Sequence, residues 1–193
     1  YRMEYVKHVS TINEINIASN LPSSRAKVFL ESRFYMRDAL SNLLHLDPLK
    51  IPLTANPGEP PTLPKGMGYI SLSHCQDACI ICWSNKNIGI DIECSNRNFN
   101  YEGLAKKYFH TKKMNKFNIL KEWCAIEAAI KWDRGKLSKD IKNWKYRNCK
   151  KIIFHTKKKL KVNLNQFSFS KWIISIATQN DIGSSTNIIC ADL

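Results

Sequence analysis

The sequence predicts an α+β protein built from two similar lobes, and two observations support this fold class. A helix followed by three strands is predicted in the first half of the chain, and the same order recurs loosely in the second half. The chain has 193 residues, of which 44% are hydrophobic, enough for one large domain or two small ones. We therefore expect an N-terminal lobe at residues 1–93 and a C-terminal lobe at residues 94–193.

The first half begins with a long helix and an irregular connector. Apolar residues recur at helical spacing from Arg25 to Leu46, and Asp47-Pro48 ends this helix. Residues 47–68 contain every proline of the chain except Pro22, and several glycines. This composition predicts a connector without regular structure.

Three strands complete the first half, and three more are predicted in the second. Residues 69–73, 78–84 and 88–93 have strand character, with a turn at 85–87, and we expect a three-stranded meander. The second half contains a basic segment from Tyr101, a long helix through Lys131, and strands near 151–154, 160–164 and 172–177.

The chain is strongly basic. Its 30 Lys and Arg residues outnumber 16 Asp and Glu residues, which gives a formal charge of +14. This balance favours an anionic partner, with nucleic acid as the generic candidate and an acidic protein or a polyphosphate cofactor as the others. A nucleic-acid surface would need cations interleaved with exposed aromatic rings, and only residues 144–147, Trp-Lys-Tyr-Arg, offer this pattern.

The cysteines indicate a reducing compartment. There are seven, an odd number, and several lie within apolar runs. Cys75, Cys79 and Cys82 have the spacing of iron–sulfur ligands in radical S-adenosylmethionine enzymes, but Cys79 and Cys82 would face opposite ways on a strand. We therefore expect them to be small core residues.

No stretch of the sequence indicates a membrane protein. No apolar run reaches the roughly 18–20 residues that span a bilayer, and no signal segment opens the chain. We expect a cytoplasmic monomer without membrane contact.

Two acidic residues point the same way on the strand at 88–93. Strict alternation places three isoleucines on one face and Gly89, Asp91 and Glu93 on the other. Acids on a half-exposed strand often face only solvent. Gly89 argues against that interpretation, because a glycine on this face suggests that another group approaches the backbone closely. Paired carboxylates suit Mg²⁺, which prefers oxygen ligands.

A second pair of charges lies on the later helix. Glu127 and Lys131 are four residues apart and share one face, with Trp123 one turn earlier. Such pairs are often simple surface contacts, but the large ring on the same stripe suggests partial burial. A third acid and a cation, added to Asp91 and Glu93, are what divalent-metal phosphate chemistry needs.

Three motifs resemble those of the 4′-phosphopantetheinyl transferases of the Sfp type. They are the strand Gly89-Ile90-Asp91-Ile92-Glu93, the helix Trp123 to Lys131, and the upstream Ser71-Leu72-Ser73-His74. Each motif alone is weak, but their order and separations together match the family over most of the chain. The resemblance implies two lobes in pseudo-twofold arrangement with the cofactor in the cleft between them.

The resemblance also implies an activity and a site. Such an enzyme transfers the phosphopantetheine arm of coenzyme A to a serine of an acyl or peptidyl carrier protein and releases 3′,5′-ADP. By this likeness Asp91, Glu93 and Glu127 bind Mg²⁺, Glu127 helps to deprotonate the serine, and Lys131 assists the departing 3′,5′-ADP. Ser73 and His74 would bind coenzyme A.

Two arginines one turn apart on the first helix extend this set of candidates. Arg33 and Arg37 could be solvated helix charges, but phosphate recognition favours the guanidinium fork, so both are candidate cofactor contacts. A lone histidine such as His74 is likewise more often structural than functional, and the resemblance reverses that expectation.

The sequence departs from the family at two positions. Ile126 stands where the family usually has Lys, and Glu59 stands where it often has Lys between Gly58 and Pro60. Each departure would remove a cation from the cleft. Two alternatives stay open. The charge leaves a basic nucleic-acid-binding protein, and the two departures leave an inactive member of the transferase family.

Overall fold

The computed structural model describes residues 6, 8–75, 78–109, 115–147, 151–179 and 187–192, the last range by its backbone only. It is mixed helix and sheet. The helices are α1 (Ile12–Ser19), α2 (Ser23–Leu44), α3 (Tyr101–Leu104), α4 (Lys116–Trp132) and α5 (Leu137–Asp140), with a 3₁₀ turn at Pro48–Lys50 and a π-helical turn at Ala105–Phe109. The strands are β1 (Tyr69–Cys75), β2 (Ala78–Ser84), β3 (Ile88–Cys94), β4 (Trp144–Arg147), β5 (Ile152–His155), β6 (Leu160–Phe169), β7 (Trp172–Thr178) and β8 (Asn187–Asp192).

The first long helix and the connector are confirmed. Helix α2 ends at Leu44, and the left-handed backbone conformation of His45 (φ 54°) stops the helix before the connector. Outside the 3₁₀ turn, the connector carries only an isolated bridge between Thr54 and Thr62 among the described residues. Of the helices that the structure describes, none is long and apolar enough to cross a membrane.

The strands form two antiparallel sheets. The smaller sheet has the order β1-β2-β8, and the larger has the order β3-β7-β6-β5-β4. The predicted meander was wrong at its third strand, because β3 pairs with β7 instead of β2. The isoleucines of β3 explain the difference, since Ile88, Ile90 and Ile92 pack face to face against β2 in a shared apolar cluster. β3 therefore lies in the sheet that stacks on β2, with its isoleucines between the two sheets.

The two halves of the chain exchange strands. β3 belongs to the larger sheet with strands from the second half, and β8, the last strand, completes the smaller sheet. The sheets therefore do not divide between residues 93 and 94, and the division into lobes at 1–93 and 94–193 stays a prediction. Strands β4 and β8 and helix α1 were not predicted.

The cysteines whose side chains the structure describes, and the two aromatic rings at 144–147, are buried or partly buried. Cys79 and Cys82 lie in separate apolar clusters on opposite faces of β2, as expected, and none of the cysteines whose side chains the structure describes forms a disulfide. Trp144 is fully buried with its ring edge-on to His155, and Tyr146 packs partly against the same core. These two rings are therefore not an exposed stacking surface for nucleic acid.

Helix α4 packs directly on β3 at Gly89. A Cβ atom at this position would lie 2.1 Å from the Ala128 carbonyl oxygen and 2.3 Å from the Trp132 nitrogen. Asn87, just before β3, donates from Nδ2 to the Trp132 carbonyl at 2.6 Å, which caps the end of the helix. The predicted close approach at Gly89 is confirmed, but helix α4 makes it and not a ligand.

We predict that Gly89→Ala destabilises the protein by about 3 kcal/mol or more, because two backbone groups of α4 would have to move. Urea unfolding measures the loss. Gly66→Ala is the matched control, since Gly66 has a left-handed backbone conformation (φ 95°) but nothing within 4 Å of the added carbon. Its cost should be about 1 kcal/mol. Equal losses in the two variants would contradict the packing argument.

Candidate functional site

A cavity of about 680 Å³ opens where β1, β3, the connector and the end of α4 meet. Its ionisable side chains come from all four elements or from the turns beside them. They are Glu59, His74, Cys75, Asp91, Glu93, Arg97, Glu127, Lys131 and Arg134. The cavity therefore collects the strand acids and the helix pair that the sequence placed on separate elements.

The centre of the cavity is a hydrogen-bonded group of three residues from three elements. Lys131 Nζ donates to Asp91 Oδ1 at 2.7 Å and to Ser73 Oγ at 2.8 Å. The Ser73 hydroxyl in turn donates to Asp91 Oδ1 at 2.7 Å. Asp91 is 3% exposed, and its second oxygen, Oδ2, is buried without a hydrogen-bond partner in the described part of the protein. One carboxylate oxygen is thus fully used, and the other is available.

Glu93 lies two residues further along the same face of β3 and has its own cation. Arg97 Nη1 donates to Glu93 Oε2 at 2.6 Å, and the Cys75 thiol donates to the same oxygen at 3.6 Å. The Arg97 guanidinium also lies over the Phe99 ring, 4.8 Å from its centre. Sequence reasoning missed Arg97, because it lies at the turn after β3, where no backbone period relates it to Glu93.

The three carboxylates crowd one another. Burial, and then the charge of Asp91, raise the pKa of Glu127 to about 8. The same two causes raise the pKa of Glu93 to about 7, against the opposing effect of Arg97. At neutral pH the site therefore holds protons that a nearby positive charge would displace.

The nearby basic groups take different charge states. Burial disfavours the charged form of Lys131, but the negative charges of Asp91 and Glu127 outweigh it, so the pKa of Lys131 is raised. Lys131 is therefore a fixed cation. Partial burial, and then the charge of Lys131, lower the pKa of His74. His74 is accordingly a neutral imidazole near pH 7, able to donate one hydrogen bond but not to supply a charge.

The donor set suits a hard divalent cation in its chemistry. Asp91 Oδ2 is a buried oxygen without a partner among the described residues, and a cation between the carboxylates would relieve the repulsion that raises the pKa values of Glu93 and Glu127. Among the described residues, however, no group of three or more His, Cys, Asp or Glu side chains is arranged so that it could hold a metal ion. Lys131 and Arg97 instead neutralise Asp91 and Glu93.

Arg37 does not line this cavity. It is 2% exposed, pairs with Glu14 (Nη2 to Oε1, 3.0 Å), and donates from Nη1 to the carbonyls of Pro48 and Ile51. Glu14 also forms the capping box of α1 with Thr11. The guanidinium thus ties α2 to α1 and to the turn that follows, and the structure corrects its prediction as a cofactor contact.

Arg33 lies beside a second, adjoining cavity of about 550 Å³, which is also lined by His74 and Glu59. Its guanidinium stacks 3.9 Å above the Phe29 ring and donates to Ser32 Oγ and to the Ala55 carbonyl. Burial lowers the pKa of Arg33 to about 10. Arg33 is therefore a charged but largely engaged side chain at the edge of the site.

The two departures from the family pattern differ in their surroundings. Ile126 is 1% exposed and belongs to the apolar core between α4 and the larger sheet. The expectation that Ile126 removes a cation from the cleft was wrong, because this position faces the core. Glu59 does line the cavity, where Asn56 Nδ2 donates to its carboxylate at 2.9 Å.

Comparison with known proteins adds no assignment. No family model matches the chain, and no curated protein matches it. The case for a function therefore rests on the geometry and electrostatics of this cavity, together with the sequence motifs.

We predict that stability falls as pH rises from about 5 to about 8. Glu93 and Glu127 bind protons more tightly in the folded protein than at their ordinary value of 4.5. Their stabilising effect is complete below that value and is lost as pH rises through about 7 and about 8. Urea unfolding across this range measures the slope.

Glu127→Gln should flatten this pH dependence by an amount on the order of 1 kcal/mol, because the amide does not titrate. The exposed Glu102, changed to Gln, is the matched control and should leave the slope as in the wild type. A Glu127→Gln variant with an unchanged slope would contradict the raised pKa.

Proposed function

We propose that the protein is a Mg²⁺-dependent 4′-phosphopantetheinyl transferase that modifies a serine of an acyl or peptidyl carrier protein. The observation that carries the proposal is the Lys131–Asp91–Ser73 group, beside Glu93 and Glu127 in one cavity. A fixed cation next to three crowded carboxylates suits a reaction in which negatively charged phosphates are bound and one of them leaves.

Coenzyme A carries a diphosphate that three acids alone would repel. Asp91, Glu93 and Glu127 would hold Mg²⁺, whose positive charge would attract the diphosphate and make its phosphorus more electrophilic. Asp91 Oδ2, which has no hydrogen-bond partner among the described residues, supports this role more directly than any feature of Glu93, whose carboxylate is paired with Arg97.

The chemical step forms one bond to phosphorus and breaks another. The serine oxygen of the carrier forms a bond to the phosphorus next to the pantetheine arm, and the bond from that phosphorus to the oxygen of 3′,5′-ADP breaks. Glu127 accepts the serine proton, directly or through a water molecule. Without a metal, burial and the charge of Asp91 raise the pKa of Glu127 to about 8, and a bound cation would displace its proton and leave the carboxylate able to accept one from the serine.

Lys131 stabilises the charge that develops on the leaving 3′,5′-ADP. Its ammonium is held by Asp91 Oδ1 and Ser73 Oγ, so it does not have to be ordered during the reaction. Ser73 therefore serves mainly to position Lys131, while His74 at the cavity wall can donate a hydrogen bond to the cofactor.

The alternatives receive less support. The aromatic rings that a nucleic-acid surface would need at 144–147 are buried or partly packed in the core, which leaves net charge as the main argument for nucleic acid. Ile126 lies in the core and therefore no longer argues for an inactive enzyme. Of the two departures from the family pattern, only Glu59 lines the cavity. The +14 charge also suits an acidic carrier protein.

Incubation with apo carrier proteins, coenzyme A and Mg²⁺ tests the proposal directly. Intact mass of the carrier should show one added phosphopantetheine arm in the wild type. Asp91→Ala and Glu127→Ala should each lower the rate at least about 100-fold, because each removes a charge that acts on the reacting groups. Transfer by either variant at the wild-type rate would overturn the role proposed for that carboxylate.

Glu122→Ala is the matched control for these variants. Glu122 lies on α4 like Glu127 and is also an acid whose pKa burial raises, but it does not line the cavity. The control should transfer the arm at close to the wild-type rate.

We predict that Glu59→Lys tightens binding of coenzyme A about five-fold at low salt, because attraction to a phosphate replaces repulsion. Calorimetry measures the change, and Glu102→Lys, an equal change of charge at an exposed position outside the cavity, is the control. An affinity that stays the same in Glu59→Lys would mean that the phosphates do not approach the connector.

A further inference from the structure

Arg134 occupies a backbone position that favours glycine. It follows the end of α4, where its own N–H donates to the Lys131 carbonyl and the Gly135 N–H donates to the Ile130 carbonyl. This pair of bonds is the Schellman arrangement, in which the residue at the place of Arg134 adopts a left-handed conformation and is usually glycine. Arg134 has φ 51°, and the chain places its glycine one residue later.

Such a conformation is unfavourable for a residue with a side chain. Glycine at position 134 would end the helix equally well, so the helix end does not explain the arginine. A positive charge beside the carbonyl end of a helix is mildly favourable and is the simplest structural explanation. Two further observations point to a different role.

The first observation concerns position. Arg134 lines the cavity together with Glu127 and Lys131, and it lies next to the connector, where Nη1 donates to the Pro61 carbonyl at 3.3 Å. This long contact is the single hydrogen bond to its guanidinium among the described residues. The side chain is exposed and is therefore able to reorient toward a ligand.

The second observation concerns charge. The cavity's other cations are already neutralised, since Lys131 pairs with Asp91 and Arg97 pairs with Glu93. His74 is neutral near pH 7 because its pKa is lowered. Within the described residues Arg134 has no carboxylate within ion-pair distance. Among the described residues that line the cavity, it is the cation that no carboxylate holds in place, so its guanidinium can turn toward an incoming anion.

We infer that Arg134 is a binding residue for the phosphate groups of the ligand that enters this cavity. Its guanidinium presents several donors in a fork that matches phosphate oxygens, from the side of the cavity next to the connector. The inference rests on the proposed function for the identity of the ligand, a diphosphate ester such as coenzyme A. The binding role itself requires no transfer reaction.

Binding and stability should change in opposite directions in one variant. Arg134→Gly should weaken binding of coenzyme A and of inorganic pyrophosphate at least about ten-fold in calorimetry at low salt, because a charge-assisted contact is lost. The same variant should raise Tm by about 1–3 °C, because glycine relieves the left-handed conformation. Arg134→Gln, which removes the charge and keeps a side chain, should weaken binding similarly.

Lys159→Gly is the matched control. Lys159 also has a left-handed conformation (φ 54°) and an equal charge, but it lines a different cavity at the β5–β6 turn. Its change to glycine should raise Tm without altering the affinity for either ligand.

Unchanged affinity in Arg134→Gly and Arg134→Gln, or an equal loss in Lys159→Gly, would overturn the inference. So would a wild-type protein that binds neither coenzyme A nor pyrophosphate. If binding follows Arg134 while no carrier protein gains an arm, the binding role stands and the proposed transfer reaction fails.

Discussion

The ion pair between Lys131 and Asp91 is the interaction on which the rest of this structure depends. It joins the last turn of α4 to the centre of β3, and Ser73 adds β1 through the same carboxylate oxygen. An aspartate that is 3% exposed would be costly without a cation. The pair therefore fixes three elements at one point, and the remaining acids take their positions around it.

That point exists because α4 can approach β3 without an intervening side chain. Gly89 leaves the space, and Ala128 and Ala129 keep the facing surface of the helix small. Lys131 and Asp91 are then close enough for direct contact, whereas a larger residue at position 89 would hold the helix away. The chemistry of the cavity is thus a result of backbone packing as much as of its charged residues.

Local patterns predicted the elements of the site better than their assembly. Alternation on β3 and the four-residue spacing on α4 placed Asp91, Glu93, Glu127 and Lys131 on the correct elements, because these periods are properties of the backbone. Arg37 could not be assigned, since its partner Glu14 is distant in sequence and nothing local distinguishes a buried arginine from an exposed one. The pairing of β3 with β7 was also missed. Sequential strands usually pair, so the sequence favoured β2 as the partner of β3. Helix α1 had a visible sign in Thr11 and Glu14, the ends of a capping box.

The exchange of strands between the two sheets has a consequence for how the chain can be made. Paired residues of β2 and β8 are 104–114 positions apart in sequence, and those of β3 and β7 are 78–90 positions apart. Neither sheet can be completed while the first half alone has left the ribosome. Each sheet must wait for its strands from the second half, and until β8 has been made the edge of β2, with its apolar residues, is open to other chains and to chaperones.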